Sequence, residues 1–163
     1  MSIRVHVGGQ VVGAAEAQIS VFDRGFLYGD SVYETLATVN GRLFALAEHL
    51  DRLQRSASRI GLPLPERAHI EAAIAATVAQ AGNAESRVRV IVTRGAGGID
   101  LDPASAGEPA LVVIAGPRNG PTADMYRQGV AVQIVSVTRF LNRNRPAPRW
   151  RNRPALVERE FDR

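Results

Sequence analysis

The chain of 163 residues contains no lysine: all 20 of its basic residues are arginine. Arginine stays protonated at any ordinary pH, so no side chain offers a free amine for imine chemistry. There is also no cysteine, which excludes disulfides and thiolate metal sites. Histidine is limited to His6, His49 and His69, and no zinc-ligand spacing or Ser/His/Asp triad stands out. His6 and His69 have no partners near them in sequence and read as incidental. No apolar run reaches the ~18 residues that span a bilayer. The first residues, MSIRVHVGGQVV, lack the layout of a signal peptide. A cytoplasmic protein without a membrane partner is the expectation.

What is present is unevenly spread. Residues 1–138 hold 12 arginines against 13 acids, a net of −1, whereas residues 139–163 hold 8 against 3, a net of +5. The body therefore gives no electrostatic reason to expect nucleic acid. The eight arginines and Trp150 of the tail allow phosphate pairing and base stacking. A basic end without a dedicated role is the plainer reading.

The pattern predicts an α+β domain with a largely antiparallel sheet and two helices. Short strands are expected over 3–7 and 10–12, around Gly8-Gly9. Residues 31–39 are rich in β-formers, and Asn40-Gly41 is a hairpin signal because both central residues of a type I′ turn need positive φ. Residues 42–44 return as the partner strand. A helix over about 47–60 places Leu50, Leu53, Ala57 and Ile60 on one face. A second over 66–81 buries Ile70, Ala73, Ile74, Thr77, Val78 and Ala81, with Gly82 as its stop. Strands follow over 87–93, 110–116 and 129–138, with a Gly/Pro-rich loop over 95–109 and a short helix over 121–127. From residue 139 onward three prolines and eight arginines break the periodicity. That tail reads as irregular, with one helical turn near 155–161.

Four residues are candidates for chemistry. Arg52, in His49-Leu50-Asp51-Arg52-Leu53, offers a planar donor fork suited to phosphate oxygens; on periodicity alone it is a solvated helix arginine. Tyr28 lies in the turn-rich loop Gly25-Phe26-Leu27-Tyr28-Gly29, and Tyr33 in the strand after it. Alternation puts Tyr33 and Thr35 on one face, Val32 and Glu34 on the other. Either phenol can bind a carboxylate or line a pocket; ordinary core or interface tyrosines fit the residues equally. Arg94 precedes Gly95-Ala96-Gly97-Gly98 at a strand end, and such glycines permit close backbone approach to a ligand. The segment is not a P-loop, because Gly-Lys-Ser/Thr is missing. Asp100 and Asp102 on the same loop read as solvated rather than as metal ligands.

The segment from Ile19 to Leu62, with its HLxRL motif, resembles the class IV aminotransferases, the fold-type IV pyridoxal-phosphate enzymes. These include branched-chain aminotransferase, D-amino-acid aminotransferase and aminodeoxychorismate lyase. The resemblance implies the N-terminal domain of that fold over residues 1–138, an Arg/Pro-rich tail over 139–163, and no C-terminal cofactor domain in this chain. It implies pyridoxal 5′-phosphate as cofactor with Arg52 on its phosphate, and Tyr28, Tyr33 and Arg94 toward an amino-acid or keto-acid substrate. It further implies a homodimer. No arginine and histidine follow between Ala96 and Pro103 as in the D-amino-acid branch, which favours the branched-chain or lyase branches.

One element of the family is missing. Pyridoxal phosphate is held by a lysine amine that also shuttles protons. The family places it in a pattern like P-A-[IV]-K-S-x-N. The best match is Pro146-Ala147-Pro148-Arg149-Trp150-Arg151-Asn152, which puts Arg149 at the lysine position. No catalytic residue is therefore assigned, and a truncated reading frame would account for the shift in composition. The expectation is a class IV aminotransferase homologue that is not a competent catalyst by itself. The alternative is a non-catalytic binding or assembly module that associates with a partner chain.

Overall fold

The computed structural model describes residues 2–132. The chain divides into two units, Met1–Asn119 and Gly120–Arg163. Arg149 and the tail lie outside the described residues, as do residues 133–138 of the last expected strand; residues 129–132 carry no regular structure.

The first unit is built on six strands: β1 Arg4–Val7, β2 Gln10–Gly13, β3 Ser31–Val39, β4 Arg42–Leu43, β5 Ser86–Thr93 and β6 Ala110–Pro117. They form one sheet in the order β2-β1-β6-β5-β3-β4, with every pairing antiparallel. The two long helices, α2 Leu46–Arg59 and α3 Arg67–Ala81, are inserted between β4 and β5 and pack on the sheet, α2 on β3 and α3 on β1, β5 and β6. The expected α+β architecture is the one observed.

Alternation decides which side of the sheet the helices cover. Val32, Glu34, Leu36 and Thr38 of β3 are buried while Tyr33 and Thr35 are exposed. On β5, Val88, Val90 and Val92 face the core, whereas Arg87 and Arg89 are exposed. The core joins these valines to Leu50, Leu53 and Ala57 of α2 and to Ile70, Ala73 and Ile74 of α3. Truncating a fully buried member such as Leu53 to alanine costs about 2–5 kcal/mol by general precedent. Gly82 closes α3 at φ 60°, and Asn40 and Gly41 at φ 51° and 72° make the positive-φ hairpin turn that joins β3 to β4.

Two short helices escape the periodicity argument. Most of the segment 25–29, expected as a turn-rich loop, lies in α1 Arg24–Tyr28. The Asp23 side chain accepts a hydrogen bond from the Gly25 amide at its start, and Gly29 closes it in the left-handed region. A 3-10 turn at Pro103–Ser105 starts on Asp102, whose side chain accepts from the Ala104 amide. Asp100 likewise accepts from the Asp102 amide. In the second unit, α4 Ala123–Gln128 is capped by the Thr122 hydroxyl.

Helix α2 begins unusually. Its N-cap is Ala45, at φ 51° and ψ 38°, and no side chain caps the first turn. A Cβ in this region costs about 1–2 kcal/mol, and glycine removes that cost at some loss of chain entropy. Ala45→Gly is expected to stabilise the protein by about 1 kcal/mol, read as a higher Tm in thermal denaturation. A lower Tm would mean that the Ala45 methyl makes contacts outweighing the backbone strain.

Candidate functional site

Arg52 lies at the middle of α2 and faces strand β3. Its Nε donates to Glu34 Oε1 at 2.6 Å and its Nη2 donates to Glu34 Oε2. His49, one turn earlier, meets the same carboxylate through Nδ1 at 2.8 Å. The Glu34 side chain is only 4% exposed, whereas that of Arg52 is 59% exposed. Burial is the strongest single influence on Glu34 and pushes its pKa up, but the hydrogen bonds and the Coulombic attraction of Arg52 and His49 together outweigh it. The carboxyl ends below its ordinary value. The Glu34 hydrogen bond in turn raises the Arg52 pKa. No described residue hydrogen-bonds to Arg52 Nη1.

Tyr33 points to the other side of β3. The guanidinium of Arg89 lies over its ring, 4.0 Å from the centroid. In the sheet register Tyr33 is opposite Ile91 and Thr35 is opposite Arg89, which is opposite Ile114. This side thus offers a cation, a phenol and a hydroxyl above a partly apolar floor. Arg89 was not singled out from the sequence. The alternation of Arg87, Val88, Arg89 and Val90 was the available signal, because it sends both arginines to one face.

Tyr28 sits on α1 with its ring 4.8 Å from the Arg24 guanidinium carbon. Arg94 is occupied by its own chain. Its Nε and Nη2 hold Asp30 at 2.7 and 3.0 Å, and its Nη1 and Nη2 donate to the carbonyls of Gly61 and Ile60, each at 2.9 Å. Arg24, buried, meets the same Asp30 at 3.4 Å and donates to the backbone oxygen of Asp100 at 3.1 Å. Asp30 is therefore bracketed by two guanidiniums, and the Arg94 hydrogen bond is the main reason its pKa lies below the ordinary value.

The glycines after Arg94 are filled by the chain itself. Gly95 has φ +93°, and a Cβ there would stand 2.0 Å from the Glu108 carbonyl oxygen. Gly97 is crowded by the Ser105 backbone. His6 and His69, unpaired in sequence, meet edge to face with ring centres 6.1 Å apart. The His6 pKa is lowered by burial first and by His69 second. A shallow cleft between α2 and α3, lined by Leu50, Leu53, Leu64 and Ile70, contains none of the four candidates.

The structure thus puts Arg52 with Glu34 and His49 on the helix side of β3, Tyr33 with Arg89 on the opposite side, and Arg94 in a scaffold around Asp30. No helix among the described residues is long and apolar enough to cross a membrane.

Comparison with known proteins adds to this geometry. A family model described as amino-transferase class IV matches residues 31–154. A candidate branched-chain-amino-acid aminotransferase of Methanocaldococcus jannaschii is 37% identical over 140 residues, covering 85% of this chain and 47% of that protein. The 4-amino-4-deoxychorismate lyase of Pseudomonas aeruginosa superposes with a TM-score of 0.64 at 33% identity, over 77% of this chain and 44% of the other. An aminotransferase of Mycobacterium tuberculosis described as hypothetical, in its PLP-bound form, gives 0.60 at 27% identity, over 71% and 40%. The chain spans about half the length of these relatives or less.

Proposed function

The chain belongs to the amino-transferase class IV family, and from that premise we propose that its first unit presents the phosphate-binding arginine and one wall of the substrate pocket of such an enzyme. The observation that carries this reading is Arg52. It stands in the HLxRL motif with its side chain more than half exposed and Nη1 unengaged among the described residues. A guanidinium edge of that kind fits a phosphate oxygen.

Pyridoxal phosphate, when bound, supplies an electron sink for carbanion formation at an amino acid's α-carbon. The residues of this chain fit the phosphate end of that cofactor and do not fit its aldehyde end, because there is no lysine to receive it. Arg149, at the matching position of the motif, cannot replace it. This chain by itself is therefore proposed not to catalyse amino transfer or elimination. The substrate class is an amino acid or keto acid of the branched-chain or aminodeoxychorismate type. Tyr33 and Arg89, which stack on the face of β3 opposite to Arg52, are the groups proposed to meet its carboxylate.

A second reading, an assembly module that associates with a partner chain, is supported by a different observation. Val21, Phe22 and Phe26 are 63%, 49% and 65% exposed in one short stretch. Contiguous apolar exposure of this kind favours association, and a homodimer is the form proposed.

Titration of the purified chain with pyridoxal phosphate, followed by borohydride, tests the first reading. The expected result is a saturable absorbance shift that leaves no covalent adduct and disappears in Arg52→Ala. An adduct surviving reduction, or turnover with an amino donor and a keto acid, would overturn the proposed incompetence. No shift at all would overturn the phosphate role of Arg52 in this chain.

A further inference from the structure

The two edges of the sheet are finished differently. Along an antiparallel strand every second residue turns its N–H and C=O away from the neighbouring strand. At the β2 edge the outward groups of Gly13 are already engaged. Its N–H donates to Glu16 Oε2 at 3.0 Å and its C=O accepts from the Glu16 amide at 3.1 Å. In the pairing of β2 with β1 that leaves Val11 as the open outward residue.

The edge beyond β3 is longer and bare. Strand β4 pairs only with Thr38 and Val39 before the chain enters α2. The Ala37 carbonyl accepts from the Phe44 amide at 3.0 Å, so Ala37 is turned to the outer side. From the other end, the Asp30 carbonyl accepts from the Arg94 amide, on the side of β5. Both contacts give one alternation: Ser31, Tyr33 and Thr35 direct their backbone groups outward. Among the described residues nothing meets those of Tyr33 and Thr35, and both residues are exposed. Natural edges are blunted by proline, lysine or a bulge. The segment Ser31–Thr35 has none of these. Its one charge, Glu34, is buried on the helix side, and its pairing with β5 runs unbroken from Ser31 to Ala37. Alternating donors and acceptors on an extended backbone are matched by another extended backbone.

We propose that this edge pairs with its own counterpart in a second copy of the chain, antiparallel, about a two-fold axis through Tyr33. Groups already in use set the register. The Ala37 carbonyl is taken by Phe44, and the Ser31 N–H by the Gly29 carbonyl at 2.9 Å. The new ladder is thereby confined to residues 31–35, with Tyr33 at its centre. Tyr33 faces Tyr33, and the Thr35 N–H of each copy donates to the Ser31 carbonyl of the other. Aromatic pairs and Ser–Thr pairs stabilise antiparallel strands, and like charges directly opposite destabilise them. Here Glu34 falls opposite Val32, so the two carboxylates do not meet. A two-fold contact of this kind closes on itself and leaves no open β3 edge. It shares no residue with the Val21, Phe22 and Phe26 patch.

The absence of cysteine makes the register testable, because full-length Tyr33→Cys carries a single thiol. In the proposed pairing the two Cα atoms stand about 5.5 Å apart, inside the range of about 4.4–6.8 Å that a disulfide bridges. In a glutathione redox buffer Tyr33→Cys is expected to form about ten-fold more disulfide-linked dimer than Arg55→Cys, a thiol at an exposed site on α2. Sedimentation of the unmodified chain is expected to show a concentration-dependent dimer. Thr35→Pro deletes one outward N–H from each copy and leaves the β5 ladder intact, so it is expected to weaken that dimer by about ten-fold. Should Thr35→Pro fail to fold, the comparison of the two cysteine variants decides alone.

Equal crosslinking of Tyr33→Cys and Arg55→Cys would overturn the proposal. A dimer of undiminished strength in folded Thr35→Pro would also overturn it, and would move the contact to another surface such as the Val21–Phe26 patch. A monomer at every concentration would overturn self-pairing and leave the edge to a foreign strand.

Discussion

Asp30→Ala is expected to remove about 3 kcal/mol of stability, the lower end of the range for breaking a buried ion pair. The carboxylate stands between Arg24 and Arg94, whose side chains are 4% and 11% exposed. Removing it leaves two guanidiniums with one negative charge fewer in a region water reaches poorly. Their remaining partners are the backbone carbonyls of Ile60 and Gly61 for Arg94, and those of Asp100 and Leu101 with the Ser105 hydroxyl for Arg24. These keep the nitrogens hydrogen-bonded and hold the loss below the top of the range. Urea unfolding of the two proteins measures the difference, and a loss under about 1 kcal/mol would show the bracket to be a solvent-screened surface pair. The same group shapes the acid limb of stability. Its folded-state pKa lies below the unfolded value near ~4. Its contribution is therefore fully present above that value and is lost as pH falls through the folded pKa. Asp30→Asn is expected to make unfolding less dependent on pH below about 4.

Gly95→Ala is expected to be at least as damaging, at about 3 kcal/mol or more. Two costs coincide at this position. The backbone has φ +93°, where an L side chain is strained, and the added Cβ would stand 2.0 Å from the Glu108 carbonyl oxygen. That oxygen belongs to the backbone and cannot swing aside as a flexible side chain would. The neighbourhood is also stitched from both directions, since the Gly95 carbonyl accepts from the Arg24 amide at 2.9 Å and the Gly107 amide donates to Ala96 at 2.8 Å. Thermal denaturation of Gly95→Ala against Gly98→Ala separates this from a general sensitivity of the loop. At Gly98 the nearest atom to a new Cβ is the Asp100 side chain, which can move. Equal losses in the two variants would show that the Glu108 contact is not the cause.

Much of the fold was legible in the sequence because its signals are local. Alternation through β3 separated Tyr33 from Glu34 correctly, and the three-to-four spacing of Leu50, Leu53 and Ala57 gave the buried stripe of α2. Asn40-Gly41 announced its turn through a requirement that few residues meet. Helix α1 is too short to show a period, although Asp23 and Gly29 already carried the start and stop chemistry of a helix. The surroundings of the candidate residues were much less legible. The motif identified Arg52, but its partner Glu34 is 18 residues away on another element, and only packing brings them together. Arg94 shows the same limit from the other side. Its place beside a glycine cluster suggested a ligand, whereas its guanidinium spans 64 residues to Asp30 and the glycines make room for the chain's own carbonyls.

Arg94 has one more effect, on cooperativity. The last carbonyls of a helix usually face water, and the final turn frays independently of the rest. At the end of α2, the carbonyls of Ile60 and Gly61 instead accept from Arg94, whose backbone amide donates to Asp30 at 3.1 Å. A single side chain thus fastens a helix terminus to the ends of two strands. Opening this end of α2 therefore breaks two hydrogen bonds that reach across to the strand ends, and slower exchange of the last-turn amides than in a helix end facing water is the expected consequence.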